Sequence, residues 1–134
     1  MIVVDTNLIG YLYLTSERSG QAEAALRRDP EWAAPLLWRS ELRNVLATYV
    51  RGQRLSVDDA VAVMSRALEL MRGREYEVSS PRVLTLAARS GCSGYDCEFA
   101  ALALELGVPL VTVDRRLVER FPEAAVSLAN FVAP

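Results

Sequence analysis

The sequence predicts an α/β protein with a central parallel sheet flanked by helices. Short apolar runs recur along it, above all Ile2-Val3-Val4 and Pro109 to Val113. Between such runs lie segments whose apolar residues return every three or four positions. The two patterns alternate, as parallel strands joined by crossover helices require.

Ile2-Val3-Val4 is β-branched throughout and reads as a buried strand. Helices are expected from about Asn7 to Leu14 and from about Glu17 to Arg28, with Pro30 closing the region. Trp32-Ala33-Ala34 fits a second short strand. From Leu36 to Arg51, Trp38, Leu42, Val45, Leu46 and Tyr49 form one helical stripe, and Gly52 lies just past its end. Ser56 with Asp59 three residues later starts another helix, whose stripe runs Val57, Ala60, Val61, Met64, Ala67, Leu68, Met71. Most of that stripe is expected in the core, with a dimer or partner contact as the alternative. Tyr76-Glu77-Val78 alternates like a strand. Ser80-Pro81 caps a helix that ends at Gly91, and Gly94-Tyr95-Asp96 opens one that ends near Gly107. After the strand at Pro109 to Val113, Asp114 to Leu117 begins a short helix, and Val126 to Leu128 is a last edge strand.

With 134 residues, 51% of them hydrophobic, residues 1–134 are expected to form one domain with its own core. The opening segment has no basic stretch or cleavage signal, so the cytoplasm is the expected compartment. There is no histidine, which excludes Ser-His and Cys-His nucleophiles and a histidine base. No P-loop or dinucleotide fingerprint is present. Cys92 and Cys97 are too few for a usual zinc site and read as reduced packing residues. Carboxylates are what remains for catalysis. The net charge of −2 is not that of a protein that coats nucleic acid. All 15 basic residues are arginine, a usage that GC-rich coding bias explains as well as phosphate binding does.

Asp5 and Asp114 each follow a predicted strand, where parallel sheets bind ligands. Each stands equally where a helix N-cap belongs. Asp96 precedes Phe99, Ala100 and Ala103 at helical spacing, and Glu41 borders the stripe of Trp38 and Val45. Acids so placed need a partner, a proton or a cation. Arg39, Arg43 or Arg89 could supply an ion pair. If the four acids meet at one sheet edge, an all-oxygen site would select magnesium or manganese, the setting for phosphodiester hydrolysis.

Val3-Val4-Asp5-Thr6-Asn7 resembles the first motif of the PIN-domain family. The segment Pro35 to Leu46 resembles the helix that bears the family's glutamate, here Glu41. Tyr95 to Ala103 resembles the third motif and Val111 to Leu117 the fourth. All four occur in the family's order over nearly the whole chain. The resemblance implies a PIN-like fold with Asp5, Glu41, Asp96 and Asp114 as the catalytic, metal-binding acids. Thr6, Asn7 and Thr112 would orient the acids or hold water on the metal.

The nearest resemblance is to VapC toxins of toxin–antitoxin pairs. It implies an endoribonuclease dependent on Mg2+ or Mn2+, commonly a homodimer, inhibited by a VapB-type antitoxin that inserts a basic side chain into the acidic groove. Arg39, Arg43, Arg115 and Arg116 flank the motifs and could touch RNA phosphates, though solvated surface is their commoner role. Cys97 replaces a small residue, and Glu98 adds an acid whose ordinary role is exposed helix surface. Two alternatives stand beside the nuclease. One is a PIN-like interaction module with little catalysis, against which the complete acidic set argues. The other is a haloacid-dehalogenase-like phosphotransferase, which needs an acid where this chain has Asn7.

Overall fold

A computed structural model describes residues 1–134. Its strands are β1 (Ile2–Val4), β2 (Trp32–Pro35), β3 (Glu75–Tyr76), β4 (Leu110–Thr112) and β5 (Ala125–Ser127). They form one sheet in the order β3-β2-β1-β4-β5 with every pairing parallel. The helices are α1 (Thr6–Tyr13), α2 (Ser19–Arg28), α3 (Leu37–Arg51), α4 (Val57–Met71), α5 (Ser80–Ser90), α6 (Gly94–Leu106), α7 (Arg115–Arg120) and α8 (Leu128–Val132).

The strand order explains where a site can form. β1 is central, with Val3 beside Ala33 on one side and Leu110 on the other. The chain first builds outward through β2 and β3, then returns to add β4 and β5. Strand order therefore reverses at β1 and β4, and the loops leaving their carboxyl ends diverge to open a crevice there.

Burial follows the sequence pattern. β1, β2 and β4 are buried at every position, as strands covered on both faces must be. Trp32 and Trp38 are completely enclosed. Helix α6 buries Cys97, Phe99, Ala100, Ala101, Leu102 and Ala103 and packs across β1, β2 and β4. Its alanines let it lie close to the sheet. Cys92 and Cys97 are both buried free thiols. Helices α1 and α3 pack on each other, which brings the first turn of α1 to Glu41.

Several boundaries differ from expectation. β3 is Glu75–Tyr76, not residues 76–78. Its partner β2 ends at Pro35 and turns into α3, so Glu77 and Val78 have no strand to pair with. Ser79, not Ser80, caps α5, and Pro81 follows in its first turn. Helix α2 starts at Ser19, because the Ser16 hydroxyl accepts from Arg18 N–H and holds residues 16–18 in a turn. Leu128 begins α8 rather than ending a strand, since the Ser127 hydroxyl accepts from Asn130 N–H at 3.1 Å. On α4 the buried line is Ala60, Val63, Ala67 and Met71, while Val57 and Val61 are exposed. Gly52 ends α3 with φ −80°, and the left-handed residue is Gln53 at φ 58°. A Cβ on Gly52 would lie 3.3 Å from the Thr48 carbonyl oxygen, which accounts for glycine there.

Candidate metal centre

Asp5 joins the end of β1 to the start of α1. Its Oδ1 accepts from Leu8 N–H at 3.2 Å, so it does cap the helix. Its Oδ2 accepts from the Thr112 hydroxyl at 2.5 Å and from Val113 N–H at 3.1 Å. Asp5 as a whole is 8% exposed. Burial raises its pKa, and hydrogen bonds led by that from Thr112 pull against the rise. The N-cap role is thus met by one oxygen, while the other faces β4.

Glu41 projects from the first half of α3. The Thr6 hydroxyl donates to its Oε1 at 2.7 Å, fastening α1 to α3. Burial raises the Glu41 pKa, the Thr6 hydrogen bond lowers it, and the charges of Asp96, Asp5 and Glu98 raise it. Four acids thus feel one another at this point, without a positive group among them. Asp96 stands in the first turn of α6, where its N–H donates to Ser93 at 3.1 Å. Ser93 does the capping, which leaves the Asp96 carboxylate free.

Asp5, Glu41 and Asp96 line one cleft of about 230 Å³, together with Thr6, Asn7, Asn44, Val45, Phe99 and Leu117. The fourth acid does not join them. Asp114 caps α7 by accepting from Arg116 N–H at 2.9 Å. It lines a neighbouring hollow with Val113, Arg115, Val118, Glu119 and Ser127. Its link to the cleft is indirect: Asp114 N–H donates at 3.0 Å to the same Thr112 hydroxyl that donates to Asp5.

The expected ion-pair partners lie elsewhere. Arg39 is held by Glu75, its Nε donating at 2.9 and 3.2 Å. Arg89 pairs with Glu123, and Arg116 donates to the Gly91 carbonyl at 3.0 Å. Arg43 is exposed beside an apolar groove between α3 and α4, and Arg115 is exposed on α7. None of these five arginines lines the cleft. One residue of the cleft has no role in the sequence analysis, and one neighbouring acid is placed differently from expectation. Asn44 follows Glu41 by three positions, one helical turn, and that spacing was the available signal. Glu98 is half-buried rather than surface, and burial raises its pKa.

The donor set suits a hard divalent cation. It consists of carboxylate, hydroxyl and amide oxygens, with no thiol or imidazole. No three acidic or thiol side chains converge tightly enough to enclose an ion alone. Magnesium takes only one or two carboxylates directly and keeps several waters, so a looser spacing of acids still admits it.

The sequence matches the PIN domain over residues 2–123. The chain belongs to the PIN-domain family. Among curated proteins, Ribonuclease VapC3 of Pyrobaculum aerophilum is 33% identical over 124 residues, covering 90% of this chain and 95% of the relative. A solved structure from the same organism superposes with TM-score 0.77 at 22% identity, over 98% of this chain and 92% of the other. A toxin–antitoxin complex from Klebsiella pneumoniae gives 0.67 at 19% identity, over 96% and 98%. At those identities the structures speak for the fold, and they agree with the five-stranded parallel sheet. In this PIN domain, three of the four acids expected from the motifs share one cleft and the fourth sits next to it. No helix is long and apolar enough to cross a membrane.

Proposed function

We propose that this PIN domain is a VapC-type toxin ribonuclease that hydrolyses RNA phosphodiester bonds with a divalent metal, Mg2+ or Mn2+. One observation carries the reading. Asp5, Glu41 and Asp96 face one crevice at the strand-order reversal with no arginine to neutralise them. Acids so placed repel each other, and a cation relieves the repulsion. Ribonuclease VapC3, 33% identical over nearly the full length, supports RNA as the substrate.

Asp5, Glu41 and Asp96 would hold the cation, in part through its bound waters, with Asn7 and Asn44 beside them. Asp114 would act at the margin, through Thr112. The cation would supply Lewis acidity toward a phosphoryl oxygen and make water a stronger acid. The chain's own task is to keep the acids ionised and aimed. Thr112 and Val113 fix the Asp5 carboxylate, and Thr6 fixes Glu41. Phe99, Val45 and Leu117 exclude water from one side of the cleft, which strengthens electrostatic effects within it. In-line attack by water gives a 5′-phosphate and a 3′-hydroxyl. Arg43 and Arg115, exposed and unpaired, are better placed for phosphate contacts than Arg39 or Arg116, which bond within the protein.

Residues 1–134 would work as one domain in the cytoplasm, as a homodimer. A VapB-type antitoxin would inhibit it by placing a basic side chain among the acids. A toxin–antitoxin complex of the same fold supports such a partner.

Purified protein incubated with total RNA and magnesium or manganese should cleave it. A chelator, Asp5→Asn and Asp96→Asn should each abolish cleavage. Activity that survives all three would refute the assignment and favour a PIN-like interaction module.

A further inference from the structure

A second hollow opens directly from the acid cleft. The two share Thr6, Asn7 and Val45. The second is lined further by Gly10, Tyr11 and Tyr49, so its character changes from acidic to aromatic. Tyr11 sits on α1 and Tyr49 on α3, the two helices that Thr6 and Glu41 fasten together.

Tyr11 differs from the other half-buried tyrosines. Tyr13, Tyr49 and Tyr76 pack against the hydrophobic core, but Tyr11 does not. Tyr13 also uses its hydroxyl on the Arg66 carbonyl, whereas those of Tyr11 and Tyr49 find no partner within the protein. Tyr11 gains little for stability where it stands. Its ring lines the hollow instead, near enough to Arg18, Asp5 and Glu17 for their charges to act on its hydroxyl.

Charges of both signs stand beside this hollow, arginines together with the acids Asp5 and Glu17. The Arg54 guanidinium lies 4.2 Å from the centre of the Tyr49 ring, and Arg18 acts on Tyr11. An aromatic recess with guanidinium groups at its margin, next to a cation-attracting cleft, matches one unit of a single-stranded nucleic acid. Bases stack on aromatic faces and arginine planes, while arginines meet the phosphates.

Resting on the ribonuclease reading, we infer that Tyr11 and Tyr49 form a subsite for the unpaired nucleobase next to the scissile phosphate, with Arg54 and Arg18 serving the adjoining phosphates. Gly10 helps keep the recess open. A Cβ there would meet only Leu42 Cδ1, at 4.0 Å, so glycine is not required by crowding. The subsite selects flexible single strands, because a base inside a duplex cannot enter it.

Cleavage sites mapped in total RNA supply a synthetic single-stranded oligonucleotide spanning one of them. The same oligonucleotide is made with abasic sugars flanking the cut. Tyr11→Leu is the main variant, since Tyr11 does not support the core. Tyr11→Phe keeps the ring, and Tyr49→Leu tests the opposite wall, with thermal unfolding checked for all. Tyr11→Leu should lower kcat/KM about tenfold on the intact oligonucleotide, chiefly through KM, and Tyr11→Phe should restore most of it. On the abasic oligonucleotide, parent and Tyr11→Leu should be equal. If Tyr11→Leu cleaves the intact strand as well as the parent, or its deficit persists on the abasic strand, the subsite is wrong. The recess would then serve another occupant, such as an apolar side chain of a protein inhibitor. If the parent cleaves no RNA, the ribonuclease reading falls and the subsite with it.

Discussion

The Thr112 hydroxyl donates to Asp5 Oδ2 while accepting from the backbone N–H of Asp114. One fully buried side chain on β4 thereby sets the position of the acid at the end of β1. Thr112→Val keeps the shape and removes the hydroxyl. It should cost about 1–3 kcal/mol in urea unfolding, because the buried Asp5 carboxylate loses its strongest donor. Cleavage at neutral pH should fall as well. Thr112→Ser should recover both, and a valine variant matching the parent in both would contradict this role.

Asp96→Asn separates function from stability. The Asp96 carboxylate caps nothing, because Ser93 fills that position. Its charge also opposes ionisation of Glu41. The variant should unfold within about 0.5 kcal/mol of the parent while losing metal-dependent cleavage. A loss of several kcal/mol would mean that Asp96 has a structural role.

The metal-free protein should lose stability as pH rises from acid toward neutral. Burial lifts the folded pKa of Asp5 above its ordinary 3.8 and that of Glu41 above 4.5. The folded state then holds protons that the unfolded state has released. This contribution is full below the ordinary values and is lost as pH passes through the raised ones. Thermal melts across that window should show the decline, and Glu41→Gln should flatten it. Magnesium or manganese favours the ionised acids, so the stabilisation it gives should grow with pH. Metal titration in two buffers of different ionisation enthalpy should reveal proton release.

Arg39 fastens α3 to the edge strand β3 through Glu75. The arginine side chain is 41% exposed, so solvent screens the pair and its loss should cost at most about 1 kcal/mol. Arg39→Ala should leave RNA affinity and its salt dependence unchanged. Arg115→Ala should leave stability unchanged and reduce the slope of affinity against salt, as removal of one phosphate contact does. The reverse pattern in a binding series would reassign the two arginines.

Gly107 ends α6 at φ +67°, with open space where a Cβ would go. Gly107→Ala should therefore cost about 1 kcal/mol from backbone conformation alone. Chemical denaturation measures it, and cleavage per folded molecule should not change.

Much of this arrangement was legible in the sequence. Strand-ending acids such as Asp5 and Asp114 are visible because a parallel sheet offers its strand ends to ligands. Glu41 and Asp96 are visible because carboxylates on apolar stripes need a reason. The separation of Asp114 from the cleft was not legible. It depends on which way one side chain turns after a strand, and Arg116 N–H decided that locally. The limit of β3 was set by a neighbour forty residues earlier, since Pro35 ends the strand it must pair with. Helix α8 carried a local signal, a serine three residues before Asn130, that an apolar run obscured. Glu98 and the aromatic recess arise only when α1, α3 and α6 come together.

The brevity of β3 also bears on how the molecule meets its neighbours. Only two residues stand at that margin of the sheet, and Tyr76 turns its carbonyl inward, where it accepts from Leu36 N–H. An incoming strand would find almost no free backbone groups to pair with. Growth of the sheet from chain to chain, the route to fibres, is blocked at this side by the shortness of one strand.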